Sequence, residues 1–151
     1  MTASAVAACA VLGSLASREV SSSWYRALRK PPIQPPKQVF PIAWTVLYAD
    51  IAATSAVALD RLGQRDPAAV RAYVRALGIN LVLNAGWSWS FFKLRRLGAA
   101  TAVAAALTLS SADLVRRTGL AQWSTGVALA PYAGWCAFAT VLSGAIWRRN
   151  R

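Results

Sequence analysis

The amino-acid sequence predicts an all-helical integral membrane protein, a single domain in which five transmembrane helices form a bundle. Hydrophobic residues make up 56% of the 151 residues, and the mean hydropathy is +0.39. Such values are typical of membrane proteins and not of soluble domains. The charged residues are concentrated in short clusters that separate the apolar stretches. Stretches of about 20 apolar residues are long enough to cross a bilayer as helices.

The first predicted span covers about residues 2–17, which contain no charged side chain and end at Arg18. The segment from Val6 to Cys9 also resembles the cleavage site of a bacterial lipoprotein. No basic segment precedes this site, and too few apolar residues come before Cys9 for a signal peptide. We therefore favour a first transmembrane helix over a cleaved leader.

A proline-rich loop at about residues 24–37 follows the first span. Its centre, from Lys30 to Pro36, contains four prolines, which lack a backbone N–H and bias the residues before them away from the helical conformation. We expect this centre to be extended, like polyproline, and to act as a lid. The alternative is a plain connection between two helices, with its aromatic residues at the membrane interface.

The second predicted span covers about residues 38–59. Pro41 suits the first turn of a helix, and Trp44 and Tyr48 share one helical face because they lie four residues apart. Asp50 is the acidic residue that lies well inside a span, and an intramembrane carboxylate often has a function. It lies about 200° around the helix from Tyr48, so we expect it to face away from the two aromatic residues.

The third predicted span covers about residues 72–92 and follows a charged connection at residues 60–75. Asn80, Asn84 and Trp87 recur at intervals of four and three residues, so they share a face. In a lipid environment this amide-bearing face must turn inward, because acyl chains offer no hydrogen bonds. The two amides can then bind neighbouring helices or the polar edge of a ligand.

The fourth and fifth predicted spans cover about residues 97–115 and 122–147. A tight turn with three cations connects the third span to the fourth. Arg116 and Arg117 are expected to end the fourth span, and Gly119 marks the loop that follows. Small side chains dominate the fourth span and permit close approach of another helix.

The composition excludes several kinds of site. The chain has no histidine, which excludes a Ser-His-Asp triad, a His-based zinc site and haem ligation by a proximal histidine. We expect no metal site and no required cofactor. Cys9 and Cys136 lie inside apolar stretches, so no disulfide is predicted. The net charge of +12 favours anionic lipid headgroups over nucleic acid as the partner, because the cations flank apolar spans.

Three motifs occur in order along the chain, in the proline-rich loop and second span, in the third span and in the fifth span. Their residues are Trp24, Tyr25, Leu28, Lys30, Pro31, Pro35, Pro36, Phe40, Trp44, Leu47 and Tyr48, then Leu81, Asn84, Trp87, Ser88, Phe91 and Phe92, and finally Pro131, Tyr132, Trp135, Phe138, Ala139 and Leu142. Together the motifs resemble the TspO/MBR family of tryptophan-rich sensory proteins and translocator proteins, also called peripheral benzodiazepine receptors. The chain departs from the family at Ile33, where tryptophan is usual, and at Ser143, where asparagine is usual.

The resemblance implies a five-helix membrane bundle, commonly a homodimer, with a pocket between the helices. In the family, this pocket binds porphyrins and, in some members, sterols or synthetic benzodiazepine-site ligands, and the resemblance implies a similar pocket here. The ligand-binding residues that the resemblance implies are Trp24, Tyr25, Lys30, Pro31, Pro35, Trp44, Tyr48, Asn84, Trp87, Trp135, Phe138, Ala139 and Leu142.

We therefore expect a membrane protein that binds protoporphyrin IX or haem and acts in tetrapyrrole transport, sensing or stress regulation. Indole and phenol rings suit the faces of a flat apolar disc. Protoporphyrin also carries two propionates, whose carboxylates suit cations of the loop, namely Arg26, Arg29, Lys30 or Lys37. The resemblance implies an alternative, light-dependent oxidative degradation of protoporphyrin IX, with Trp44 and Trp135 as the reactive groups. A proton-coupled exporter is a further alternative, and would require Asp50.

The distribution of cations predicts the orientation in the membrane. Five spans place the proline-rich loop, the turn after the third span and the C-terminus on one side. That side carries eleven cations and the opposite side six, which are Arg61, Arg65, Arg71, Arg75, Arg116 and Arg117. By the positive-inside rule the lid and the C-terminus are cytoplasmic, and we expect the membrane to be a bacterial cell membrane.

Overall fold

The computed structural model describes residues 2–151, and the side chains of residues 4–15, 18 and 21–151. This part of the chain is all-helical and contains six α-helices: α1 (Thr2–Ser17), α2 (Ser23–Ala27), α3 (Val39–Gly63), α4 (Pro67–Ser88), α5 (Leu97–Ala121) and α6 (Trp123–Arg149). A 3-10 turn, Arg18–Ser21, follows α1, and a π-helical turn, Trp89–Lys93, continues α4.

Three of these helices, α3, α5 and α6, are long and apolar enough to cross a membrane. The predicted all-helical class with membrane-spanning helices is therefore confirmed, while the number of five spans stays a prediction. Helix α1 has 16 residues, and its apolar stretch, Ser4–Leu15, is shorter than a full span. Helix α4 has 22 residues and carries Arg71 and Arg75 near its start.

The connection between α3 and α4 is much shorter than the sequence predicted. Helix α3 continues to Gly63, and only residues 64–66 separate it from α4. The Asp66 carboxylate accepts a hydrogen bond of 2.8 Å from the backbone N–H of Ala68, and Pro67 occupies the first helical position. A capped start of this kind stabilises a helix although its sequence is charged.

Helix α5 runs through Arg116 and Arg117, so the prediction that they end it was wrong. Both guanidinium groups bind the Asp113 carboxylate, at 2.8 and 2.7 Å, and pairs three and four residues apart stabilise a helix. Gly119 likewise lies in the helix and not in a loop. A Cβ added to Gly126 of α6 would lie 2.5 Å from the Cα of Gly119, so the two glycines allow the helix backbones to touch.

A chain of hydrogen bonds crosses the core of the bundle. The Tyr48 hydroxyl donates to Asn84 Oδ1 at 2.7 Å, and Asn84 Nδ2 donates to the Tyr132 hydroxyl at 3.2 Å. The Tyr132 hydroxyl donates to Asn80 Oδ1 at 2.7 Å, and Asn80 Nδ2 donates to Ser111 Oγ at 3.0 Å. These bonds join α3, α4, α5 and α6, so both asparagines bind neighbouring helices, which is one of the two roles that their shared face allowed.

The proline-rich loop, the turn before α5 and the C-terminus lie at the same end of the bundle. The Asn150 side chain accepts a hydrogen bond of 2.9 Å from the Arg29 backbone N–H and donates one of 3.0 Å to the Arg29 carbonyl. The Arg95 guanidinium lies 5.2 Å from the centre of the Trp24 ring. The grouping of loops on which the predicted orientation depends therefore agrees with the fold.

Candidate functional site

A cavity of about 620 Å³ lies among α1, α3, α4 and α6, next to α2. Its size is within the usual range for small-molecule sites. Seven aromatic side chains line it, namely Tyr25, Phe40, Trp44, Tyr48, Trp87, Phe91 and Phe92. Of the ligand-binding residues that the sequence predicted, Tyr25, Trp44, Tyr48, Trp87 and Leu142 line this cavity.

Trp44 occupies the centre of the aromatic wall. Its ring stacks on Tyr48 with the centroids 5.6 Å apart and the planes at 28°. The Trp87 ring lies 5.8 Å away, and the Trp135 ring meets Trp44 edge-on at 6.4 Å. Three aromatic neighbours therefore surround the Trp44 indole, which lines the cavity.

Several predicted ligand-binding residues on the long helices do not line the cavity and pack instead against the residues that do. The Trp135 ring packs against Phe40 at 6.0 Å and Phe138 at 5.4 Å, while Ala139 is buried in the cluster around Phe91. Asn84 is fully buried, and its side-chain amide forms hydrogen bonds with the hydroxyls of Tyr48 and Tyr132. In this structure none of Asn84, Trp135, Phe138 and Ala139 lines the cavity.

The proline-rich loop differs from the extended lid that was predicted. A turn closes within it, because the Gln34 N–H donates to the Pro31 carbonyl at 3.1 Å, and proline suits such turns. Trp24, Lys30, Pro31 and Pro35 do not line the cavity. Trp24 instead packs edge-on against Phe91 at 6.2 Å.

Residues of the proline-rich loop contact Tyr25, which lines the cavity. Gln34 Nε2 donates to the Tyr25 hydroxyl at 2.9 Å, and Lys30 Nζ lies 4.4 Å from the ring centre. Burial raises the pKa of Tyr25, and burial together with the neighbouring Lys37 lowers the pKa of Lys30. Lys30 and Gln34 thus hold a neutral phenol ring against the cavity.

Helix α1 forms one side of the cavity, although the sequence indicated no role for it beyond hydrophobicity. Ala10, Val11, Gly13 and Ser14 line this side. A Cβ added to Gly13 would lie 3.3 Å from the Tyr48 hydroxyl, so the glycine lets α1 approach α3 closely. A glycine inside an apolar span is the sequence signal that could have indicated this contact.

Phe91 and Phe92 both face inward, with 4% and 8% of their surfaces exposed. Adjacent residues of an α-helix point in directions about 100° apart, but these two belong to the π-helical turn, which widens the helix locally and is often found at functional sites. Both were part of the family-like motif, yet neither was predicted to bind a ligand.

The polar groups of the lining are few. Arg18 and Lys37 line the cavity, and none of the lining residues that the structure describes is Asp or Glu. Of the four cations predicted to meet ligand carboxylates, Lys37 is therefore the one on the lining. Ser143, which replaces the usual asparagine, accepts a hydrogen bond of 3.1 Å from Trp87 Nε1.

Asp50 lies outside the cavity, as its position on the helix predicted. It lines a separate open groove between α3 and the start of α6, together with Thr54, Ser124 and Thr125. The side chain therefore has no direct access to a ligand beside Trp44.

These features define a helical membrane protein with an aromatic cavity that is formed by several helices and bordered by cations. The chain belongs to the TspO/MBR family, whose sequence model matches residues 2–148. This match confirms the resemblance that the three motifs indicated.

The relatives of the chain include proteins of bacteria and of mammals. It is 30% identical to Protein CrtK of Rhodobacter capsulatus, over 95% of this chain and 88% of that protein. It is 32% identical to the tryptophan-rich sensory protein of Cereibacter sphaeroides, over 96% and 88% of the two chains. It is 31% identical to the translocator protein of Bos taurus, over 93% and 82%.

Proposed function

We propose that the chain crosses the membrane five times and binds porphyrins, such as protoporphyrin IX or haem, in the aromatic cavity. Binding would serve tetrapyrrole transport, sensing or stress regulation. The observation that carries the proposal is the cavity itself, about 620 Å³ in volume and lined by seven aromatic rings. The names of the relatives, a sensory protein and a translocator protein, are consistent with sensing or transport.

The chemistry of the lining suits a flat apolar disc with carboxylates at one edge. The indoles of Trp44 and Trp87 and the phenol of Tyr48 offer ring faces for stacking. Arg18 and Lys37 offer positive charge for the carboxylates. With no histidine in the chain, the ligand is held by ring contacts and edge charges and not by a histidine on its metal.

A tryptophan-fluorescence titration with protoporphyrin IX tests this proposal. The protein is purified in detergent and titrated in darkness, with Trp44→Ala as the comparison. Saturable quenching that weakens in the variant is the expected result. Quenching that rises linearly without saturation, equally in both proteins, would mean that the cavity is not a porphyrin site.

Light-dependent oxidative degradation of protoporphyrin IX is a second candidate, which the tryptophan cluster favours. Trp44 lines the cavity. The ring centroids of Trp87 and Trp135 lie 5.8 and 6.4 Å from the ring centroid of Trp44. Dioxygen would be the oxidant. Loss of the porphyrin absorption only under light, with dioxygen and intact protein, would support this activity, and equal loss without protein would exclude it.

A further inference from the structure

The lining residues of the cavity differ in exposure according to the helix that carries them. Every described lining residue on α4, on the π-helical turn and on α6 is buried. The exposed lining residues lie on α1, just after it, or around the start of α3, and they are Val11, Ser14, Arg18, Lys37, Pro41 and Thr45. The cavity is thus closed by α4 and α6 and open along the seam between α1 and α3.

The opening extends well below the end of the bundle. Thr45 comes six residues after Val39, the first residue of α3, which corresponds to about 9 Å at 1.5 Å per residue. At this depth α1 lies beside α3, because Gly13 approaches the Tyr48 hydroxyl. Arg18 and Lys37 lie nearer the end, where headgroups are expected. The seam therefore faces both the headgroups and the acyl chains of one leaflet.

The rim of the seam is compatible with hydrocarbon. The Ser14 hydroxyl donates to the Val11 carbonyl at 2.8 Å, and the Thr45 hydroxyl donates to the Pro41 carbonyl at 2.7 Å. Polar groups that are satisfied within their own helix lose little when acyl chains cover them. Val11, with 57% of its surface exposed, adds an apolar side chain between them.

We propose that the ligand enters and leaves the cavity sideways, from the lipid leaflet through the seam between α1 and α3. The ligand class that fits this route is an amphipathic anion dissolved in the membrane. Its carboxylates stay near Arg18 and Lys37 while its apolar body slides between the two helices. Protoporphyrin IX is such a molecule; this choice of ligand rests on the proposed function, whereas the route rests on the open seam.

Exchange kinetics in liposomes test the route. Val11→Trp and Thr45→Trp place a bulky ring in the seam, and Leu12→Trp and Val46→Trp are matched controls. Leu12 and Val46 are also exposed, at 45% and 62%, but do not line the cavity. Uptake and release of protoporphyrin IX are followed by stopped-flow fluorescence in the reconstituted protein.

We expect both rate constants to fall about tenfold in the seam variants, since a barrier on the path slows entry and exit together. The control variants should exchange like the wild type. Equal rates in seam and control variants would show that the ligand uses another path.

A second measurement needs no porphyrin and compares the wild type with Val11→Trp. A phospholipid with a photoactivatable group on its acyl chain is incorporated into the liposomes, and labelled residues are mapped by mass spectrometry. Phe91 is 4% exposed and lines the cavity, whereas Leu81 is 7% exposed and does not. We expect labelling of Phe91 and not of Leu81, and weaker labelling of Phe91 in Val11→Trp.

The two measurements separate the route from the ligand. An unlabelled Phe91 would overturn the lateral route even if porphyrin binds. Labelled Phe91 without any porphyrin binding would keep the route and reject the proposed ligand.

Discussion

At the residue scale, Trp44 is the side chain on which ligand affinity should depend most. It lines the cavity and is stacked on Tyr48, whereas Trp135 touches the cavity wall only from behind. Trp44→Ala should cost about 1 to 3 kcal/mol of porphyrin binding free energy, roughly five- to 150-fold in Kd. Fluorescence titration in darkness measures the change.

Trp135→Phe is the matched comparison, because a phenyl ring still supports Trp44 and Phe40. It should retain the affinity and slow any photo-oxidation. Equal affinity of the wild type and of the Trp44→Ala, Trp135→Ala double variant would reject the cavity as the porphyrin site.

Lys37 should contribute to the recognition of ligand carboxylates. We expect Lys37→Gln to weaken protoporphyrin IX about two- to fivefold, the range of an exposed ion pair, and to leave the neutral dimethyl ester unchanged. Arg26→Gln is the control, since Arg26 is an exposed cation of the same end of the bundle and does not line the cavity. Parallel titrations with the acid and the ester provide the measurement. A similar loss for both ligands would argue against a charge contact.

Asp50 should matter little for binding, because its groove is separate from the cavity. Asp50→Asn is expected to leave the Kd for protoporphyrin IX within about twofold of the wild type, because a residue without contact to the ligand rarely changes affinity. Titration and a vesicle transport assay are the measurements. If the variant lost binding or transport altogether, a proton-coupled exporter would become the better proposal.

At the scale of the elements, the packing of α5 on α6 depends on two glycines. A Cβ on Gly126 would lie 2.5 Å from Gly119 Cα and 2.7 Å from Gly119 N, and backbone atoms cannot move aside as a flexible side chain can. Gly126→Ala should therefore lower the free energy of unfolding by about 1 to 3 kcal/mol. Thermal unfolding in detergent detects this as a lower Tm.

Gly134→Ala is the control on the same helix, because its added Cβ would meet no atom of another helix within 4 Å. Alanine there should be neutral or stabilise α6 by about 0.5 to 1 kcal/mol. Equal Tm values for the two variants would contradict the close contact of the helix backbones.

At the scale of the whole molecule, the orientation in the membrane remains a prediction from charge. We expect the proline-rich loop and the C-terminus in the cytoplasm, where the larger number of cations belongs. In a Cys-free background, Ser23→Cys probes the end with the loop and Gln64→Cys the opposite end. An impermeant maleimide added to whole cells should label position 64 and not position 23. The reverse labelling would invert the orientation, and with it the leaflet from which the ligand enters.

The sequence by itself determined the helical membrane class, the family and five residues of the cavity lining. Trp44 and Tyr48 could be placed on one face because their spacing is a property of a single helix, which local periodicity reveals. The same reasoning placed Asp50 away from them. The ends of α4 and α5 were less well predicted, because charged residues at the end of an apolar stretch usually indicate the end of a helix. Asp66 instead caps the start of α4, and Arg116 and Arg117 form ion pairs that let α5 continue.

Only the tertiary structure decided which helical faces meet at the cavity. Trp135 and Asn84 lie behind the wall, because the rotation of one helix against another depends on packing across the whole bundle and not on local spacing. Helix α1 lines the cavity because it approaches α3 closely at Gly13. Phe91 and Phe92 both face inward because they belong to the π-helical turn. Contacts between distant segments and local departures from α-helical geometry leave little periodic signal in the sequence, so they become visible only when the helices are packed together.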